Sequence, residues 1–169
     1  MVDLALPRNP VWQRSDNLRD PAVLPTSDGY LIFYSRFSNN DWKEPENWAI
    51  AWTFTKDFVT FTCDRDITPK GYASPGDPVR WHGRFLLPSQ SHPAGLSELY
   101  YSTYGHGQCW SDPVPFLTQA NSMLCNTIHR GKDPSFIVDG DTLHCFFATS
   151  HGHNGSRGDL LGHAITQDP

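Results

Sequence analysis

The chain has 169 residues, a net charge of −5, 18% charged and 13% aromatic side chains. The acidic balance and the lack of Lys/Arg clusters exclude a nucleic-acid footprint, and no apolar run approaches the ~20 residues of a helical membrane span. With 14 Pro and 13 Gly spread along its length, the chain has little room for long helices, so short strands joined by turns are expected.

Taken in chain order, Met1 to Pro10 lacks the charged-then-apolar pattern of a leader. That reads as a cytoplasmic protein, or a secreted one whose leader has been removed. The first motif is Asp20-Pro21, followed by AVLPTSDGYLIFYSRF to Phe37. This is a short strand, a turn at Ser27-Asp28-Gly29, and a longer apolar strand. A third strand is expected from Trp48 to Thr55 and a fourth from Phe58 to Thr62. The pattern restarts at Asp77-Pro78 with VRWHGRFLLPSQSH, turning at His82-Gly83. Its third strand is Glu98 to Tyr104, with a weaker fourth near Trp110 to Phe116. It restarts again at Asp133-Pro134 with SFIVDGDTLHCFFATSH, turning at Asp139-Gly140-Asp141 and ending at His151. A third strand, Leu160 to Thr166, follows, and no fourth is readable.

The Asp-Pro steps lie 57 and 56 residues apart. A repeat of this length with four strands is the signature of a propeller blade, whereas a β-sandwich gives no reason for the recurrence. The expected fold is therefore all-β: one domain over 1–169, a partial β-propeller of about two and a half to three blades built from four-stranded antiparallel sheets (12–66, 72–120, and an incomplete 128–169). Pro suits the first residues of a strand, where a ladder donor is dispensable. The innermost strand lines the channel of a propeller, so Asp20, Asp77 and Asp133 are expected to converge on one cavity.

These phrases carry a family resemblance. Leu18-Arg19-Asp20-Pro21, Gly76-Asp77-Pro78, Lys132-Asp133-Pro134-Ser135-Phe136 and the segment from Trp48 to Phe61 resemble the five-bladed propellers of glycoside hydrolase family 43 and its relatives in families 32, 62 and 117. The resemblance implies hydrolysis of an arabinoside or xyloside with inversion, by two Asp and one Glu. By position Asp20 resembles the base and Asp133 the Asp that tunes the acid, with Asp77 left as a substrate contact. An inverting site needs one carboxylate to activate water and one acid for the leaving oxygen, ~6.5–9.5 Å apart.

The sequence departs from that pattern in one respect. Its three Glu, namely Glu44, Glu46 and Glu98, do not match the family's acid position. Terminal blades also need neighbours to bury their faces, so either further chain or a second copy is expected to complete the ring. A homodimer is the favoured expectation. Glu98 or a His is then a substitute acid.

Other candidates are weaker. Arg36 suits a sugar hydroxyl or an ion pair with a nearby Asp. Trp42 and Trp48 suit a sugar platform, and Trp81 suits blade packing. His92, His151 and His153 suit substrate contacts near neutral pH, or are loop histidines. The cysteines Cys63, Cys109, Cys125 and Cys145 show no CxxC spacing, so free, mostly buried thiols are expected rather than zinc ligands. No cofactor is expected; a central ion occurs in some relatives, but no ligand set specifies one. The partner expected is carbohydrate, with no nucleic acid and no membrane. The leading function is a glycosidase on a small or terminal glycoside, and the alternatives are a carbohydrate-binding or protein-binding propeller lacking the acid.

Overall fold

The computed structural model describes residues 12–38, 43–91, 98–104, 109–118, 131–151 and 158–168. They form three antiparallel sheets in chain order. The first joins β1 (Asn17–Thr26), β2 (Gly29–Phe37), β3 (Trp48–Thr55) and β4 (Phe61–Asp66) as neighbours in sequence. The second has an inner strand in two pieces, β5 (Tyr72–Ala73) and β6 (Val79–Trp81), both paired with β7 (Arg84–Ser91), then β8 (Leu99–Tyr104) and β9 (Val114–Leu117). The third holds β10 (Lys132–Asp139), β11 (Thr142–His151) and β12 (Gly158–Thr166). Apart from a single 3-10 turn at Pro45–Asn47, the described residues contain no helix.

Tight turns close the hairpins where the sequence asks for them. Between β6 and β7 the loop is His82-Gly83, with φ of +45° and +77°. Both central residues are left-handed, the geometry whose twist matches the flanking strands. The turn after β3 behaves differently from expectation. Asp57 Oδ1 accepts the N–H groups of Val59 and Thr60, and Thr55 Oγ1 accepts that of Phe58. These bonds fold residues 56–60 into a closed turn, so β4 starts at Phe61 rather than Phe58. The Thr60 and Val59 amides hold the Asp57 carboxyl below its usual range.

The sheets pack face to face. Ala22, Leu24, Phe33 and Ile50 of the first bury against Leu87 of the second. Trp81, Leu86 and Leu99 of the second bury against Phe136, Leu143, Cys145 and Phe147 of the third. Successive residues of a strand face opposite ways, so Leu86 and Leu87 serve the two joints of the middle sheet. This explains the unbroken apolar run Phe85-Leu86-Leu87. Each fully buried Leu or Phe contributes about 1.5–3 kcal/mol. Trp81 belongs to the core, its indole Nε1 donating to the Asp141 carbonyl at 3.1 Å. Trp48 is buried too, stacked on Phe37 at 4.4 Å, and therefore offers no open face to a sugar.

The thiols divide by environment. Cys63 and Cys109 are exposed, against expectation, because they sit on the solvent side of β4 and ahead of β9, whereas Cys145 is buried in the second joint. Burial pushes the Cys145 thiol up to about 12. The thiolate is the reactive form, so iodoacetamide at pH 8 is expected to alkylate Cys63 and Cys109 and to spare Cys145 until the protein unfolds, as read by peptide mass spectrometry.

Candidate functional site

The Asp-Pro steps bend the inner strands. Between the pairs Arg19↔Ser35 and Ala22↔Phe33, two residues of β1 oppose one of β2. Between Lys132↔Ala148 and Ser135↔Phe146, two residues of β10 oppose one of β11. These are β-bulges, and the same dipeptide makes both. Asp20 and Asp133 adopt φ of +54° and +50°, a left-handed conformation that Asp tolerates better than most residues. The following Pro has no N–H, which suits a position without a ladder partner.

In the middle sheet the residue in this conformation is Ser74, at φ +49°, followed by Pro75. It comes directly after the pair Ala73↔Gln90, as Asp20 comes after Arg19↔Ser35. Ser74 is thus the counterpart of Asp20 and Asp133, and Asp77 lies three residues further along the interrupted inner strand. Even so, Asp20, Asp77 and Asp133 all line one cavity of about 340 Å³, together with Ser74, Gly76 and Ser135. The three carboxylates are solvent-exposed.

Two hydrogen bonds of one kind tie the sheets together at this cavity. Ser35 Oγ accepts the Ser74 N–H at 2.7 Å. Gln90 Oε1 accepts the Asp133 N–H at 2.7 Å. Ser35 and Gln90 occupy matching places on β2 and β7, so each second strand pins the left-handed residue of the next sheet. Ser35 Oγ also donates to Asp20 Oδ2 at 2.8 Å, and Ser74 Oγ lies 3.4 Å from the same oxygen. One carboxylate oxygen is held and the other is left to the cavity. The sequence signal for these residues was the polar end of each apolar second strand, and it did not separate pins from ligands.

Ser35→Ala removes the donor to Asp20 and the acceptor of Ser74 N–H together. An orphaned backbone N–H costs about 1–3 kcal/mol, so the melting temperature is expected to fall by about 4 °C, and Ser35→Thr to restore most of it, as read by calorimetry.

The remaining candidates lie elsewhere or outside the described residues. Arg36 does not line the cavity. Its guanidinium pairs with Asp64 at 3.2 Å and with Asp66. Ala49 and Ala51, small and fully buried on the intervening strand, let it reach β4. Arg14 and the Tyr34 hydroxyl also meet Asp64, and burial pushes the Tyr34 phenol up to about 12. Glu98 sits at the start of β8, accepting from Tyr100 Oη at 3.1 Å and outside the cavity lining. Glu44 and Glu46 are exposed at the 3-10 turn. Trp42, His92 and His153 lie outside the described residues, as does the side chain of His151, whose backbone ends β11. Among the described residues no group of three His, Cys, Asp or Glu is placed to hold a metal ion.

No protein-family model matches the chain, and no curated protein matches it in sequence. Solved structures do match in fold. Zg3597, a family 117 glycoside hydrolase of the marine bacterium Zobellia galactanivorans, superposes with a TM-score of 0.66 at 16% identity, over 92% of this chain and 54% of that one. The catalytic domain of the Coprinopsis cinerea GH62 alpha-L-arabinofuranosidase gives 0.62 at 19% identity, over 91% and 49%. An N-acetylgalactosamine deacetylase from F. plautii gives 0.60 at 13% identity, over 88% and 50%. The chain spans about half the length of these neighbours. At such identities the likeness is one of fold: antiparallel sheets arranged as part of a β-propeller.

Proposed function

We propose that the cavity is a glycoside hydrolase site for a small or terminal glycoside such as an arabinoside or xyloside. The observation that carries this reading is the meeting of Asp20, Asp77 and Asp133, from three different sheets, on one cavity. Asp20 takes the part of the base, because one of its oxygens is fixed by Ser35 while the other is open to water. Asp133 is the neighbouring carboxylate, placed by Gln90, and Asp77 is a substrate contact. The fold likeness to two glycoside hydrolases supports the reading. Inversion is expected by resemblance, with the ~6.5–9.5 Å carboxyl separation that leaves room for a water.

The general acid is absent from the cavity lining, which contains no Glu. The walls that would carry it come from outside the described residues. A second copy of the chain is the source this reading prefers. Since each copy has three sheets among its described residues, two copies would bring six, one more than the five blades of the resembling family. A second reading, carbohydrate binding without turnover, is favoured by the same missing Glu.

A panel of nitrophenyl arabinosides and xylosides distinguishes the two. Release of nitrophenol with the anomeric product inverted, as followed by proton NMR, is the expected result. Sugar-dependent chemical-shift changes without release on any substrate would favour binding alone.

A further inference from the structure

Ser35 turns its hydroxyl toward the second sheet, where it holds Asp20 Oδ2 at 2.8 Å and the Ser74 N–H at 2.7 Å. Successive residues of a strand face opposite ways, so Tyr34 and Arg36, on either side of Ser35, point to the outer face of the first sheet. Both reach one carboxylate there. The Tyr34 hydroxyl donates to Asp64 Oδ1, and Arg36 Nη1 donates to the same oxygen at 3.2 Å. The Arg36 and Asp64 side chains are each only 17% exposed. Burial pushes the Tyr34 phenol up to about 12, so it stays a donor at neutral pH.

A bulge aims Asp64 at this place. Between the pairs Phe54↔Thr62 and Trp52↔Arg65, Cys63 and Asp64 of β4 together oppose Thr53 of β3. Cys63 takes a φ of +61° to do so, a conformation that a side chain adopts only at a cost. In an unbroken strand, residues 61, 63 and 65 would share one face and 64 and 66 the other. The extra residue reverses the second half of β4. Arg65 turns instead toward Trp52, with its guanidinium 5.3 Å from the ring centre. Asp64 and Asp66 take the face of Phe61, which Trp12 shows to be that of Tyr34 by packing on both rings, at 5.2 and 5.4 Å.

We infer that Asp64 is a positioning residue for Asp20, gripping both neighbours of Ser35 and so fixing the hydroxyl that holds the carboxylate. The catalytic side of this role rests on the glycosidase reading, and the geometric side does not. The strained bulge at Cys63 then has a purpose, since it alone brings a carboxylate under Tyr34 and Arg36. The middle sheet has no such clamp. Its pin, Gln90, lies between Ser89 and Ser91, which carry no charge, and Ser91 Oγ instead accepts the Glu98 N–H at 2.9 Å. The Asp133 N–H held by Gln90 is therefore an internal reference for the Ser74 N–H held by Ser35.

Amide exchange of these two groups, followed by NMR on the full chain, tests the inference. Asp64→Asn keeps the size of the side chain and removes its charge. It is expected to raise the ratio of Ser74 to Asp133 exchange rates about tenfold. On a nitrophenyl glycoside it is expected to lower kcat about tenfold with KM within about twofold, as displacement of a reacting group does. If Asp64→Asn does not fold, Tyr34→Phe removes one grip and keeps the ring, and a rise of about threefold in the same ratio is expected. The inference is overturned if the ratio does not move, or if both amides speed up alike, which is plain loss of stability. It is also overturned if the ratio moves while kcat does not. A native chain that hydrolyses no glycoside counts against the glycosidase reading, and the amide ratio then decides the role of Asp64 by itself.

Discussion

Asp20→Asn is expected to lower kcat on a nitrophenyl glycoside by about 10³-fold, within the range a general base contributes. KM should stay within about twofold, and the melting temperature nearly unchanged. The substitution is chosen for what it preserves. Asn matches Asp in size, tolerates the φ of +54° at this bulge, and still offers an oxygen to the Ser35 hydroxyl, 2.8 Å away. It removes only the charge needed to take a proton from water. Steady-state kinetics on the folded variant check it. Turnover within tenfold of the native chain would remove Asp20 from the mechanism and move the search to Asp77 and Asp133, which share the cavity.

Gly76→Ala is expected to be the most destabilising single change among the residues discussed. A Cβ there would lie 1.9 Å from the Pro134 carbonyl oxygen and 2.9 Å from Pro88 Cγ. Neither neighbour can yield by a rotamer change, since one is backbone and the other a ring. Overpacking of this kind costs about 3 kcal/mol, equivalent to a fall of about 10 °C in melting temperature for a chain of this size. The effect is not confined to stability. Pro134 follows Asp133, so the second and third sheets must separate at the cavity to admit the methyl group. Melting curves and kinetics on the same preparation should therefore both change, and a Gly76→Ala protein of native stability would show that the inner strands do not approach this closely.

The Asp-Pro repeat made the three-sheet architecture and the shared cavity legible, because the dipeptide marks a backbone event that each sheet needs near its inner strand. It misled on equivalence. The even spacing of 57 and 56 residues points to Asp77, whereas register and the hydrogen bond that the Ser35 hydroxyl accepts point to Ser74. A Ser-Pro step can occupy the same left-handed place on the inner strand, and only the pairing partners tell the two apart. For Arg36 the sequence offered a sugar contact or an ion pair with a nearby Asp, and the structure shows the ion pair, though which Asp could not be read. Its pairing with Asp64 and Asp66 depends on two alanines lying between strands, a fact about shape across a sheet. Trp81 packs between sheets as its sequence context suggested, whereas Trp48, read as a sugar platform, is disqualified by burial alone. The exposed Cys63 and Cys109 show the converse, since composition gives a tendency to burial and not a position.

The left-handed Asp20 and Asp133 carry a further consequence. Non-glycine residues in that conformation cost of order 1–3 kcal/mol each, and glycine would adopt it freely. Selection for heat resistance alone would thus drift toward Gly at 20 and 133, keeping the bulges while erasing the carboxylates. The Ser35 hydroxyl returns part of that cost at Asp20, but acidic residues at two strained positions are otherwise a cost that the bulges do not require. A directed-evolution campaign on this scaffold would need to screen for chemistry at every round, because its most stable descendants would be its emptiest.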